Sequence, residues 1–335
     1  MNQYHVYGLG AALVDTEISV TDESLQALGV SKGVMELVDE ARQQVLLSQL
    51  TNHALETKYS SGGSAANTII ANSSLGGRSY YSCKVARDAM GDFYLNDLQQ
   101  AGVSCEMAGV REDGITGKCL VLITPDAQRS MNTFLGISET LSVADLNLPA
   151  LSQSQWLYLE GYVVTSPTGR HAAIAAREHA QAQGVKTALT LSDPSMVQFF
   201  RDGLQEMVGD AVDLLFCNED EALMWAQSDN LDVAIESLKQ VAKTFAVTLG
   251  AQGAVVFDGQ VLHRVAAPSV TAVDSNGAGD AFAGAFLYGI THAMDYPRAA
   301  ALAVQVASKV VSQFGPRLQA AQYAQVLAEF NAVAV

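Results

Sequence analysis

The feature that most limits the fold of this chain is the regular return of short apolar runs between longer helical stretches. Tyr4–Leu9 (YHVYGL), Ser79–Val85 (SYYSCKV), Trp156–Tyr162 (WLYLEGY), Lys186–Leu191 (KTALTL), Val212–Asn218 (VDLLFCN) and Phe245–Gly250 (FAVTLG) read as strands. Helical patterns lie at Ser64–Leu75, Gly91–Ala101, Pro167–Gln183, Asn230–Lys243, Ala278–Met294, Pro297–Gln313 and Leu318–Ala332. Strands spaced by helices of this length make βαβ units, and a parallel sheet has to be covered on both faces. The expected fold class is α/β, a three-layer sandwich around a mainly parallel central sheet.

Two regions break the rhythm. Leu13–Val20 (LVDTEISV) and Val34–Val38 read as strands with no adequate helix between them. Within Gly109–Phe134, GKCLVLIT and RSMNTF flank the turn Pro125–Gln128, the pattern of an antiparallel hairpin. The 335 residues suit one large domain with an appendage. Residues 1–12, 38–104 and 137–335 are therefore assigned to a large α/β domain, and 13–37 and 105–136 to a small β-sheet lid.

Net charge is −16, with no run of Lys and Arg, so neither nucleic acid nor an anionic membrane surface is an expected partner. Cys83, Cys105, Cys119 and Cys217 are scattered without metal-ligand spacing and read as reduced thiols. MNQYHVYGLG lacks the basic and apolar regions of a signal peptide. The charge-free run Ala281–Met294, 14 residues, falls short of the roughly 20 that span a bilayer. A soluble cytoplasmic protein is expected.

The stretch DSNGAGDAFAGAF, Asp274–Phe286, places two glycines where an apolar helix begins. A helix starting near Ala278 would present the amides of Gly277, Ala278 and Gly279 together with the positive end of its dipole. Glycine lets an anion such as a phosphate approach that backbone closely; a plain strand-to-helix turn would use it too. Asp280 is either a carboxylate favoured by the dipole, or a general base taking a hydroxyl proton beside the anion hole.

Three more stretches carry chemistry or mimic it. SSGGSAANT, Ser60–Thr68, opens a helix with Asn67 on its first turn, able to donate and accept above Gly62 and Gly63. An N-cap by Ser64 explains the same residues. CNEDEA, Cys217–Ala222, puts Asn218 and Glu221 at the carboxyl end of a strand, either as oxygen donors for a hydrated Mg2+ or as a helix cap. VTLGAQGAVVF, Val247–Phe257, reads as a glycine-turned hairpin. GxxxxGK[ST] is absent, Gly8-x-Gly10 is followed by Leu13 where a dinucleotide fingerprint needs a small residue, and Gly62–Ala66 lacks the last glycine of a nucleophile elbow.

Together these turns resemble the ribokinase-like carbohydrate and nucleoside kinases, the PfkB family. DSNGAGDAFAGAF resembles its C-terminal signature, SGGSAANT its N-terminal one, Asn218–Glu221 its NxxE element, and Thr248-Leu249-Gly250 with Gly253 its nucleotide loop. ALVD (Ala12–Asp15), RSMNTFLG (Arg129–Gly136), EGYVVTSP (Glu160–Pro167) and TLSDP (Thr190–Pro194) are similar to stretches of the adenosine-kinase branch. Two positions depart from it: Ser275 stands where Thr is usual, and Ala11 where adenosine kinases place an Asn beside the nucleoside.

The resemblance implies a ribokinase-like fold with a lid, and a set of roles. Asp280 is then the catalytic base, with Gly277, Ala278 and Gly279 as its anion hole and Arg129 moving in from the lid to neutralise phosphate charge. Asp15, Gly62, Gly63 and Asn67 bind the hydroxyls of a ribose-like substrate, with Leu13 beside them and Tyr162 packing on a nucleobase. Asn218, Thr248, Gly250 and Gly253 serve ATP, Asn218 and Glu221 organise Mg2+ through water, and Asp274 helps hold a monovalent cation such as K+. The lid stretches carry few cations and several acids (Asp15, Glu17, Asp22, Glu23, Glu36), which favours a neutral acceptor. The expected activity is ATP-dependent phosphorylation of a primary hydroxyl, first of all the 5'-OH of adenosine. Inosine, guanosine or a free sugar such as ribose or fructose are the other acceptors, and a catalytically silent nucleoside- or sugar-binding regulator is the more distant reading. Either a monomer or a homodimer is compatible with such a lid.

Overall fold

The computed structural model describes residues 3–50, 58–106 and 111–333. Residues 1–2, 51–57, 107–110 and 334–335, which fall in the ranges assigned above to the two domains, lie outside the described residues. Two sheets dominate. The large one has nine strands in the order Leu262–Val265, Ala254–Phe257, Ala242–Thr248, Val212–Asn218, Lys186–Thr190, Ser154–Glu160, Tyr4–Leu9, Ser79–Ser82 and Val103–Ser104. All neighbours from Ala242–Thr248 to Val103–Ser104 pair in parallel, and the two strands at the other edge are antiparallel.

Alternate side chains of these strands feed two cores, as a sheet covered on both faces requires. In Val212–Asn218, Leu214 and Phe216 join one core, Leu215 and Cys217 the other. The first core takes the buried faces of Ser64–Ser74, Ala89–Gln100, Ala278–Thr291 and Tyr296–Val311. The second takes those of Pro167–Ala182, Pro194–Val208, Glu219–Ala226 and Leu231–Leu238. Helix Ala278–Thr291 is anchored by Phe282 and Phe286, whose rings stack 6.1 Å apart and meet Phe216 edge-on at 6.4 and 5.6 Å. Each such buried side chain is worth about 1.5–3 kcal/mol of transfer free energy.

The small sheet runs Met35–Leu37, Arg129–Phe134, Gly117–Ile123, Leu13–Ser19, Lys58–Gly62. It draws on more of the chain than 13–37 and 105–136. Lys58–Gly62 pairs antiparallel with Leu13–Ser19, and Leu46 and Leu50 of helix Glu40–Leu50 pack with Ile18, Leu25, Leu120 and Leu122 on its outer face. The hairpin about Pro125–Gln128 forms as the sequence indicates.

Several boundaries differ from the sequence reading. A short helix, Asp22–Ala27, does connect the first two small-sheet strands, capped by the Thr21 hydroxyl accepting from the Ser24 N–H at 3.1 Å. The strand expected to reach Tyr162 stops at Glu160, where the Gly161 N–H leaves the ladder for the Ser192 hydroxyl at 2.8 Å. The helix expected to reach Lys243 ends at Leu238, because Ala242–Thr248 is drawn into the ladder with Val212–Asn218. Among the described residues no helix is long and apolar enough to cross a membrane, and all four cysteines are free thiols.

Candidate active site

A cleft of about 510 Å³ lies between the carboxyl ends of the large-sheet strands and the inner face of the small sheet, within the usual size for small-molecule sites. One wall is made where two helices start side by side. Gly284 lets helix Ala278–Thr291 approach Ser64–Ser74 so closely that a Cβ there would strike the Thr68 carbonyl. Asp280 therefore faces the first turn of the other helix. Its Oδ1 accepts from the Ser64 hydroxyl at 2.7 Å and its Oδ2 from Asn67 Nδ2 at 3.2 Å. Burial pushes its carboxyl pKa up; the two hydrogen bonds and the Arg129 charge pull the other way.

The two glycines of the turn have separate causes. Gly277, the residue before the helix, has φ 71, and a Cβ on it would collide with Pro316. Gly279 meets nothing within 4 Å of where a Cβ would stand, so its lack of side chain leaves room over the helix start. The first-turn amides have no partner inside the helix, although the Ala278 N–H turns back in a long 3.4 Å bond to the Ser275 carbonyl. Asp274 is fully buried, accepts from the Asn276 and Gly315 amides at 2.8 and 2.9 Å, and does not line the cleft. It braces the loop.

Asp15 and Asn67 bring polar atoms to the cleft with capacity to spare. Asn67 is 4% exposed and its Oδ1 has no hydrogen-bond partner. Asp15 is equally buried, and burial together with the Glu17 charge raises its pKa well above the usual aspartate range. Gly62 is set back from the wall, where any side chain would overlap the Asp15 carboxylate. Gly63 caps the helix at φ 95, so the cap expected of Ser64 is absent and that hydroxyl goes to Asp280. Leu13, Tyr162 and Arg129 also line the cleft, and Arg129 forms no ion pair with a described residue.

At the other end lie Asn218, Glu221, Thr248 and Gly250. Asn218 and Glu221 form a reciprocal cap: the Asn218 side chain accepts from the Glu221 N–H at 2.8 Å and donates to Glu221 Oε1 at 2.7 Å. Burial raises the Glu221 pKa to about 8. Gly250 has open space around it, whereas Gly253 lies off the wall, held at φ 92 against the Val265 carbonyl. No group of three or more His, Cys, Asp or Glu among the described residues is placed to hold a metal ion.

The sequence reading gave no site role to Glu160, Ser64 or Asn276. Glu160 is 1% exposed and clamps two site segments, accepting from the Ala11 N–H at 2.6 Å and the Ala65 N–H at 2.7 Å. Burial raises its pKa to about 7. A charged residue closing the apolar run WLYLE was the available signal.

A family model described as pfkB family carbohydrate kinase matches residues 34–322. The chain belongs to this family. It is thus a phosphotransferase with an alcohol group as acceptor, built on the family's ATP-using fold. Among solved structures, this kinase is 34% identical to the adenosine kinase of Sinorhizobium meliloti, with a TM-score of 0.91 and coverage of 99% of this chain and 100% of the other. A probable sugar kinase from Rhizobium etli CFN 42 gives 30% identity and a TM-score of 0.92, covering 98% and 100%. The adenosine kinase of Saccharomyces cerevisiae is 29% identical over 329 residues, 92% of this chain and 95% of its own.

Proposed function

We propose that this kinase transfers the γ-phosphoryl group of ATP to the 5'-OH of adenosine. The observation that carries the reading is the meeting of Asp280, the open helix start at Gly279 and the unpartnered Asn67 Oδ1 in one cleft. The adenosine kinases among its relatives supply the choice of acceptor.

Asp15 and Asn67 accept and donate to the ribose hydroxyls, which gives the Asn67 Oδ1 its missing partner. Leu13 and Tyr162 pack on the base. Asp280, held by Ser64 and Asn67, takes the proton from the 5'-OH as the phosphoryl group moves in line. The amides at the helix start and Arg129 stabilise the charge of the transferring group. Thr248 and Gly250 border the ATP phosphates. Asn218 and Glu221, with oxygens at the cleft that can accept from water, would help hold a hydrated Mg2+, which would supply charge neutralisation. The enzyme's four free thiols suit a reducing compartment, and the proposed location is the cytoplasm.

The test is ADP release from Mg-ATP with adenosine, inosine, guanosine, ribose and fructose offered separately. Turnover with adenosine well above the rest is expected. Turnover with a free sugar alone would replace the acceptor and keep the mechanism.

A further inference from the structure

Strand Leu13–Ser19 turns Leu13 and Asp15 into the cleft, and Glu17 follows on the same pleat. Glu17 is 1% exposed, and its Oε1 accepts from Asn276 Nδ2 at 3.1 Å. Asn276 immediately precedes Gly277, is itself 6% exposed, and lines the cleft. A second piece of the small sheet reaches the same loop. The carbonyl of Ala127, in the turn before Arg129–Phe134, accepts from the Ser275 N–H at 3.3 Å and the Ser275 hydroxyl at 2.9 Å. Ala127 is held at φ 63, a left-handed conformation that a non-glycine residue adopts at some cost.

We propose that Glu17 is a positioning residue: its buried bond to Asn276 sets the anion-hole loop from the strand that carries the acceptor-binding Asp15. The loop then has its working shape when the small sheet is seated, with Ser275 and Ala127 as the second attachment. Phosphoryl transfer is thereby tied to the presence of the acceptor under the same strand. This rests on the kinase reading above. The residues concerned, 17 and 276, touch neither the transferring group nor its proton in that mechanism. Their effect is on where Gly277 and Gly279 stand, and a shift of about 1 Å in such a group costs on the order of a hundredfold in rate.

The experiment compares wild type, Glu17→Gln, Glu17→Ala, Asn276→Ala and the double variant Glu17→Gln with Asn276→Ala. ADP release from Mg-ATP is followed with each of the five acceptors at saturation. Glutamine keeps an oxygen for the Asn276 amide; alanine does not. Glu17→Ala is expected to lower kcat at least about tenfold with KM for ATP little changed, and Glu17→Gln to stay within about threefold of wild type. Should Glu17→Ala fail to fold, Asn276→Ala carries the same tenfold expectation, with no further loss when Glu17→Gln is added. Wild-type kcat in Glu17→Ala, or in Asn276→Ala where that variant stands in for it, overturns the proposal. A Glu17→Gln enzyme as slow as the alanine variant overturns it too. Wild-type turnover with an acceptor other than adenosine overturns the substrate assignment alone, and the variants are then read with that acceptor. No turnover with any acceptor overturns both.

Discussion

Ser64 and Asp280 stand 216 positions apart in the chain and are joined by a 2.7 Å hydrogen bond across two helix starts. The bond fixes one carboxylate oxygen and, with Asn67 on the other, aims the carboxylate along the cleft wall. Ser64 donates to the ionised form of Asp280, which offsets part of the burial that favours the protonated form.

Asp280→Asn is therefore expected to lower turnover by about 10²–10⁴-fold, the usual worth of a positioned base, with the melting temperature near that of wild type. The raised carboxyl pKa places the acid limb of wild-type kcat/KM above the ordinary aspartate value of 3.8. A pH–rate profile and a melting curve check both. Near-normal turnover in the asparagine variant would remove Asp280 from the chemistry.

Gly277 and Gly279 should part company when each is changed to alanine. Gly277→Ala meets Pro316 and a left-handed φ, so it is expected to lose roughly 1–3 kcal/mol of stability. Gly279→Ala meets no protein atom and gains helix propensity, about 0.5–1 kcal/mol. Its methyl group instead enters the open space over the helix start, where the proposed mechanism puts the phosphoryl group, so turnover is expected to fall while stability holds or rises. Chemical denaturation alongside kcat separates the two; equal effects on both quantities in both variants would contradict the assignment.

Much of the site was legible because its chemistry is packed into short local runs. Gly277, Gly279, Asp280, Gly63 and Asn67 all sit on helix starts that glycine turns announce. The long-range contacts that hold the neighbouring segments were not legible. Glu160 meets Ala11 and Ala65, and Glu17 meets Asn276, across separations that only the folded sheets bring together. Helix Pro194–Val208 carried a readable start, Asp193 as cap and Pro194 at the first position, which went unused. Helix Glu40–Leu50 buries only Gln43, Leu46 and Leu50, too sparse an apolar face to stand out. The Asn218–Glu221 pair shows the reverse case: the helix-cap reading holds, and the capped pair also lines the cleft, where its part in holding Mg2+ is a proposal.

Glu221 makes stability depend on pH in a definite direction. Its pKa rises from 4.5 to about 8 in the folded chain, so folding favours its neutral form. That contribution is complete below about pH 4.5 and is lost as pH rises to about 8. Glu221→Gln stays neutral throughout. The stability of wild type relative to this variant is expected to fall steadily across that window and level off above it, as measured by urea unfolding at several pH values. A constant difference would show that Glu221 titrates normally.

The first strand, Tyr4–Leu9, lies in the interior of the large sheet between Ser79–Ser82 and Ser154–Glu160. Among the strands of the large sheet this one is synthesised first and must wait for both neighbours, the second of which, Ser154–Glu160, follows only after every strand of the small sheet. Until then the strand has open edges of the kind that recruit other chains. The Asp280 helix, which completes the site, emerges later still. Birth of the enzyme is thus also its most exposed moment, and a nascent chain stalled before residue 278 would carry Asp15 and Asn67, the residues proposed for the acceptor, without the Asp280 proposed to act on it.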